Sequence, residues 1–99
     1  VFILSLSKNS KDHLESLKGN NSKAIEYKAV LKALKQLMEN PRHPSLHSKV
    51  YRGKKTKEKK KIWQSYAQNN TPGAYRIFWH YGPNTEVRVI SVIEITSHP

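Results

Sequence analysis

Residues 74–82 read AYRIFWHYG, and the way they alternate decides how the chain is built. As a β-strand, the segment sends Tyr75, Ile77, Trp79 and Tyr81 to one face and Arg76, Phe78 and His80 to the other. The first set is apolar enough to seal a core. The second carries an arginine and a histidine that core packing does not require, so it is expected to line a surface.

Outward from this strand the pattern is that of a meander. KIWQSYAQ (61–68) alternates, with Ile62, Gln64 and Tyr66 on one side and Trp63, Ser65 and Ala67 on the other. NNTPG (69–73) and GPN (82–84) carry turn signals, and EVRVISVIEIT (86–96) is the longest apolar β run. HSKVYRG (47–53) reads as one more strand. Next comes RGKKTKEKKK (52–61), with seven basic residues and one Glu, which is expected to be an exposed loop. Strands joined by short turns must be antiparallel, because a parallel crossover takes about a dozen residues or more.

The N-terminal part reads differently. VFILSLS suits a short strand over 2–7, and KNSKDHLESLKGN a short helix. Asn9 or Ser10 is expected to cap that helix, with Asp12 and Glu15 in its first turns and Lys18-Gly19 at its end. From about 22 to 40, Tyr27, Val30, Leu31, Leu34, Leu37 and Met38 recur at helical spacing, while Lys28, Lys32 and Lys35 lie off the stripe. Asn40-Pro41 stops this second helix. The expected fold is α+β: an N-terminal strand and a two-helix hairpin packed on one face of an antiparallel sheet, in one domain spanning 1–99.

Composition narrows the partners. Lys plus Arg outnumber Asp plus Glu by 18 to 7, a net charge of +11, so an acidic partner is expected. Nucleic acid comes first, an acidic protein second and an anionic membrane surface third. The absence of cysteine excludes disulfides and thiolate metal sites and fits a reducing cytoplasm. No apolar run reaches the roughly 18 residues of a spanning helix. VFILSLS is too short for a signal-peptide core, and a chain opening on Val1 reads as trimmed. His13, His43 and His47 show no metal-ligand spacing with a carboxylate, so no metal and no cofactor are expected.

The order of elements, with ENPRHP (39–44), KVYRG (49–53), AYRIFWHYG and VISVIEITSHP (89–99), resembles the RelE/ParE toxin superfamily of bacterial toxin–antitoxin systems. RelE-like members cleave mRNA in the ribosomal A site, and ParE-like members inhibit DNA gyrase. The resemblance implies a cytoplasmic, metal-independent endoribonuclease whose partners are a cognate antitoxin, the ribosome and mRNA. The alternative is a protein of the same fold that binds without cutting, as a gyrase inhibitor or an RNA-binding module. On the ribonuclease reading, Arg76 matches the phosphate-holding arginine of the "YR" pattern and His98 the general acid or base near the end of the last strand. Gln64 and Tyr66 stand where RelE uses lysines, so Lys49, Arg52 or Lys61 would supply the missing charge.

RNA can be cut without a metal because its own 2′-hydroxyl attacks the adjacent phosphate. Histidine suits the proton transfers, and the arginine fork suits the phosphate. Arg76, His98 and Tyr66 form the expected catalytic set. Lys49, Arg52, Lys54, Lys55, Lys61, Gln64, Phe78 and His80 form the expected RNA-binding set, with the lysine run over 54–61 meeting rRNA phosphates and the rings stacking bases. Other readings stay open: Arg76 paired with Glu94 across strands, His80 as a structural residue, and His98 as a frayed end.

Overall fold

The structure, a computed structural model, describes residues 1–56, 59–69, 73–82 and 88–97. Strand β1 (Ile3–Leu6) leads into helix α1 (Lys8–Lys18), a 3-10 turn (Asn21–Lys23) and helix α2 (Ala24–Glu39). A second 3-10 turn (Pro44–Leu46) precedes strands β2 (Lys49–Lys55), β3 (Lys61–Tyr66), β4 (Tyr75–Tyr81) and β5 (Val89–Ser97). The five strands form one sheet in the order β1-β5-β4-β3-β2. The meander β2 to β5 is antiparallel throughout, as its short turns demand. β1 pairs parallel with β5, which makes the sheet mixed. The chain between them runs through the helical hairpin and the whole of β2 to β4, far more than the minimum a parallel pairing needs.

The core lies between the helices and one sheet face. Tyr75, Ile77 and Trp79 of β4 are buried there, as the alternation of 74–82 requires, and Tyr81 is half-buried at the edge. From α2 come Val30, Ala33, Leu34 and Leu37, each buried, and from α1 comes Leu17. The observed stripe is narrower than expected: Leu31 is 40% exposed, and Ala33 takes the inward place. Leu46, delivered by the unanticipated 3-10 turn, is also fully buried. Pro44 opens that turn, and His47 leaves it in left-handed geometry at φ 48°.

Helix α1 is capped by Ser7 rather than by Asn9 or Ser10, its hydroxyl accepting from the Ser10 N–H at 3.1 Å. The position follows from β5. Between Phe78 and Trp79 the β4–β5 register slips by one residue, leaving Ile93 extra in β5. Such a bulge withdraws backbone groups from the ladder, and buried ones must find other partners. Here the Ile93 carbonyl accepts from the Ser7 hydroxyl at 3.0 Å, while the Val92 carbonyl accepts from the Ser7 N–H at 2.9 Å and from the Ser10 hydroxyl at 3.2 Å. The same slip explains how Val92 and Ile95, three residues apart, both reach the core.

Half of the basic segment 52–61 is strand rather than loop: β2 runs on to Lys55 and β3 starts at Lys61. Between them the Lys59 N–H donates to the Thr56 carbonyl at 2.9 Å, and the Lys55 and Lys61 side chains are exposed. The expected turns at 69–73 and 82–84 fall mainly on residues outside the described ones. Gly73, at φ 68°, holds the backbone geometry that favours glycine there.

A buried polar relay ties the core together. The Trp79 indole N–H donates to Ser65 Oγ at 2.8 Å, Ser65 meets Ser48 Oγ at 2.7 Å, and Ser48 donates to the Pro41 carbonyl at 2.7 Å. Since Ser48 spends its proton on Pro41, Ser65 donates to Ser48. Ser65→Ala leaves the indole N–H without a partner in a dry site. The expected loss is about 1–3 kcal/mol, read as a lower urea midpoint with an unchanged slope. A second test uses Tyr81, whose hydroxyl burial pushes above its ordinary value, partly offset by Arg42. The folded state keeps that proton longer than the unfolded chain, so the contribution is present below about pH 10 and is lost as pH rises through the folded value. Tyr81→Phe is expected to show a flatter loss of stability above pH 10 than the parent.

Candidate nucleic-acid interface

The face of the sheet away from the helices carries the functional candidates. Register sets them in rows across β2, β3 and β4. Lys49 is opposite Gln64, and Gln64 opposite Phe78; Tyr66 is opposite Arg76. On β5, Glu94 is opposite Phe78 and Thr96 opposite Arg76. The alternation over 61–68 and 74–82 therefore brings Arg76, Tyr66, Gln64 and Phe78 to one face, and the β2–β3 register adds Lys49. A cross-strand Arg76–Glu94 pair does not form, because Thr96 holds the place opposite the arginine.

Tyr66 is the centre of this group. The Arg76 guanidinium carbon lies 4.4 Å from its ring centroid, and Lys49 Nζ lies 5.9 Å away. The His47 ring is at 5.7 Å, placed by the left-handed residue after the 3-10 turn. Cations over an aromatic face gain roughly 0.5–2 kcal/mol, more where water is excluded. Arg76 is half-buried, and its Nε is buried without a hydrogen-bond partner. The stack fixes the guanidinium plane while, among the described residues, no carboxylate neutralises it. A permanently charged, planar fork held this way suits a phosphate group.

Gln64 differs from its expected role. It is 3% exposed, beneath its neighbours, and its Nε2 has no partner. Its side chain forms the floor of the interface and does not project from it.

Next to this floor is a cavity of about 320 Å³. Tyr51, Ile62, Phe78 and Ile93 form apolar walls, and Asn9, Glu94 and Thr96 form a polar side. The Tyr51 and Phe78 rings meet edge to face at 5.1 Å. Sequence reasoning missed most of these residues. Strict alternation does not place Ile93 and Glu94 together, and Asn9 read as a cap. The bulge brings the first two outward, and the cap at Ser7 frees Asn9.

The other expected residues lie apart. Arg52, Lys55 and Lys61 gather with Val50 and Tyr51 around a separate hollow of about 320 Å³ toward the β2–β3 tip. His80 shares the outer face, with Nδ1 3.0 Å from the Tyr81 carbonyl, but lies one row past Phe78. The Lys54 side chain and all of His98 lie outside the described residues. Among the described residues, no group of three His, Asp or Glu can hold a metal, and no helix is long and apolar enough to cross a membrane.

The burial of Gln64 is directly testable. Gln64→Leu removes an unpartnered buried amide and is expected to raise stability by about 1 kcal/mol, whereas Gln64→Lys buries a charge and lowers it. Urea midpoints of the two variants, compared with the parent, should move in opposite directions.

No protein-family model and no curated protein matches the sequence. Solved structures do. A YoeB/ParE toxin from Agrobacterium tumefaciens superposes with a TM-score of 0.70 at 11% identity, over 99% of this chain and 100% of that one. A YoeB dimer structure from Staphylococcus aureus gives 0.61 at 12% identity, over 99% and 98%. The chain thus has the fold of the YoeB/ParE toxin structures, from the first strand to the last.

Proposed function

We propose that this protein is the toxin of a toxin–antitoxin pair and that it cleaves mRNA on the ribosome without a metal. The observation that carries this reading is Arg76: a cation stacked on Tyr66, flanked by Lys49 and His47, with no carboxylate partner among the described residues. A bound phosphate would complete it. In this reading the RNA 2′-hydroxyl attacks the neighbouring phosphate, Arg76 and Lys49 hold the charge that builds on it, and Tyr66 orients the guanidinium. His98, at the position implied by the resemblance, exchanges the proton with the leaving 5′-oxygen. The fold shared with the YoeB/ParE toxin of Agrobacterium tumefaciens supports the toxin assignment, and the +11 charge supports an antitoxin that masks it.

A second reading rests on Gln64. Its uncharged, buried side chain stands where RelE uses a lysine, as expected of a ParE-like gyrase inhibitor or an RNA-binding module that does not cut.

Cleavage of mRNA on translating ribosomes separates the two. Arg76→Ala is expected to lose about 10²–10³-fold in cleavage rate, with a near-parental urea midpoint. Arg76→Lys should recover only a fraction, because a point charge replaces a fork. If the parent protein leaves mRNA intact and blocks DNA supercoiling, the gyrase reading replaces the ribonuclease one.

A further inference from the structure

We infer that the cavity between Tyr51 and Phe78 is a base-reading subsite for guanine in single-stranded RNA, with Glu94 and Asn9 as the reading groups. This rests on the reading that the outer face takes RNA, and it adds the substrate feature that face would select.

The argument starts from Glu94. It is an acidic side chain on a strongly basic face, yet register sets it opposite Phe78 and not opposite Arg76. Among the described residues its side chain has neither a hydrogen-bond nor an ion-pair partner, and the same holds for Asn9. Both side chains line the same cavity, beside Thr96. A carboxylate there would repel a phosphate, so this part of the face is unsuited to the RNA backbone. It is suited to a group that offers donors.

Guanine is the RNA base that presents two adjacent donors, N1–H and the N2 amino group, on one edge. A carboxylate is an acceptor with two oxygens and can take both. The neighbouring O6 needs a donor, which the Asn9 amide supplies. Adenine and cytosine offer one amino group beside an acceptor nitrogen that faces the carboxylate unfavourably. Uracil sets its single N–H between two carbonyls. The ring itself fits the rest of the site: Tyr51 and Phe78, already edge to face, give one aromatic wall, and Ile62 and Ile93 give apolar contact. The volume, about 320 Å³, is at the lower end of the roughly 300–1,000 Å³ typical of small-ligand sites. Arg76, opposite Thr96 on the adjacent strand, is next to the cavity and available to the phosphate of the same nucleotide.

The bulge is what makes the pocket. In a strand of the same sequence without the slip, Glu94 would share a face with Val92 and Ile90 and point into the core. The slip turns it outward beside Ile93, and the Ser7 and Ser10 hydroxyls hold the two bulge carbonyls in place.

Titration of the ¹⁵N-labelled protein with GMP, AMP, CMP and UMP tests the subsite directly. GMP is expected to shift the amides of Tyr51, Phe78 and Glu94 saturably, while inorganic phosphate shifts Arg76 and leaves Tyr51 unmoved. A bidentate base contact discriminates by roughly 5- to 150-fold, so AMP, CMP and UMP should bind at least about fivefold more weakly. Glu94→Gln, which keeps shape and adds a donor, should bring GMP down to the affinity of AMP with an unchanged urea midpoint; Asn9→Ala should give a smaller loss in the same direction. Equal affinity for the four nucleotides, or a guanine preference that survives Glu94→Gln, overturns the assignment. Cleavage on ribosomes is read separately. GMP selectivity without cleavage supports the subsite and sinks the ribonuclease reading, and cleavage without GMP selectivity sinks the subsite alone.

Discussion

One inserted residue, Ile93, governs how the two faces of this sheet are divided. A nine-residue strand that alternated strictly could not bury Ile90, Val92 and Ile95 together. The slip opposite Phe78–Trp79 lets it do so, and it sets Ile93 and Glu94 on the opposite side. The cost is a backbone carbonyl, that of Ile93, taken out of the ladder, and the start of α1 is positioned to satisfy it. Core, helix cap and outer cavity are thus consequences of one irregularity. Deleting it would restore a regular ladder with Val92 and Ile95 still inward and Glu94 still outward, and would take away the wall that Ile93 gives the outer cavity.

The helix-facing and solvent-facing sides of β4 do different physical work. On the inner side, Trp79 stacks on Trp63 at 5.6 Å, and its one polar atom is discharged through two serines to a carbonyl at the end of α2. That side is dry and fully paired. On the outer side, aromatic rings support cations, and two polar atoms, Arg76 Nε and Gln64 Nε2, are left without partners. Unsatisfied groups are costly where water is excluded, and they collect here at the face proposed to receive a ligand.

The sequence made some of this legible for clear reasons. Period-two alternation around Arg76 and Tyr66 is a local property, so it predicted which side chains share a face. Helical spacing likewise gave α2, and Pro41 gave its end. Features that depend on tertiary partners were not visible. Ser7 is a cap whose hydroxyl also reaches a β5 carbonyl, Ala33 rather than Leu31 is buried because packing against the sheet decides which side of α2 turns inward, and β1 joins as a parallel edge because its partner is strand β5. Charge density misled once. The lysines of 52–61 suggested a loop, but a strand can carry them when its edge faces water.

The position of β5 between β1 and β4 has a consequence for how the molecule comes into being. Ile3 and Val89 are neighbours in the sheet although nearly the whole chain separates them. Closing so long a loop is entropically expensive and gives no reward until the strand arrives. The helical hairpin and the β2–β3–β4 meander can form from local contacts, yet the sheet stays open in the middle until β5 inserts. During synthesis β5 leaves the ribosome after every other element. Arg76 on β4 is therefore displayed on an incomplete sheet until the end of that process, and the pocket beside it does not exist before β5 is in place.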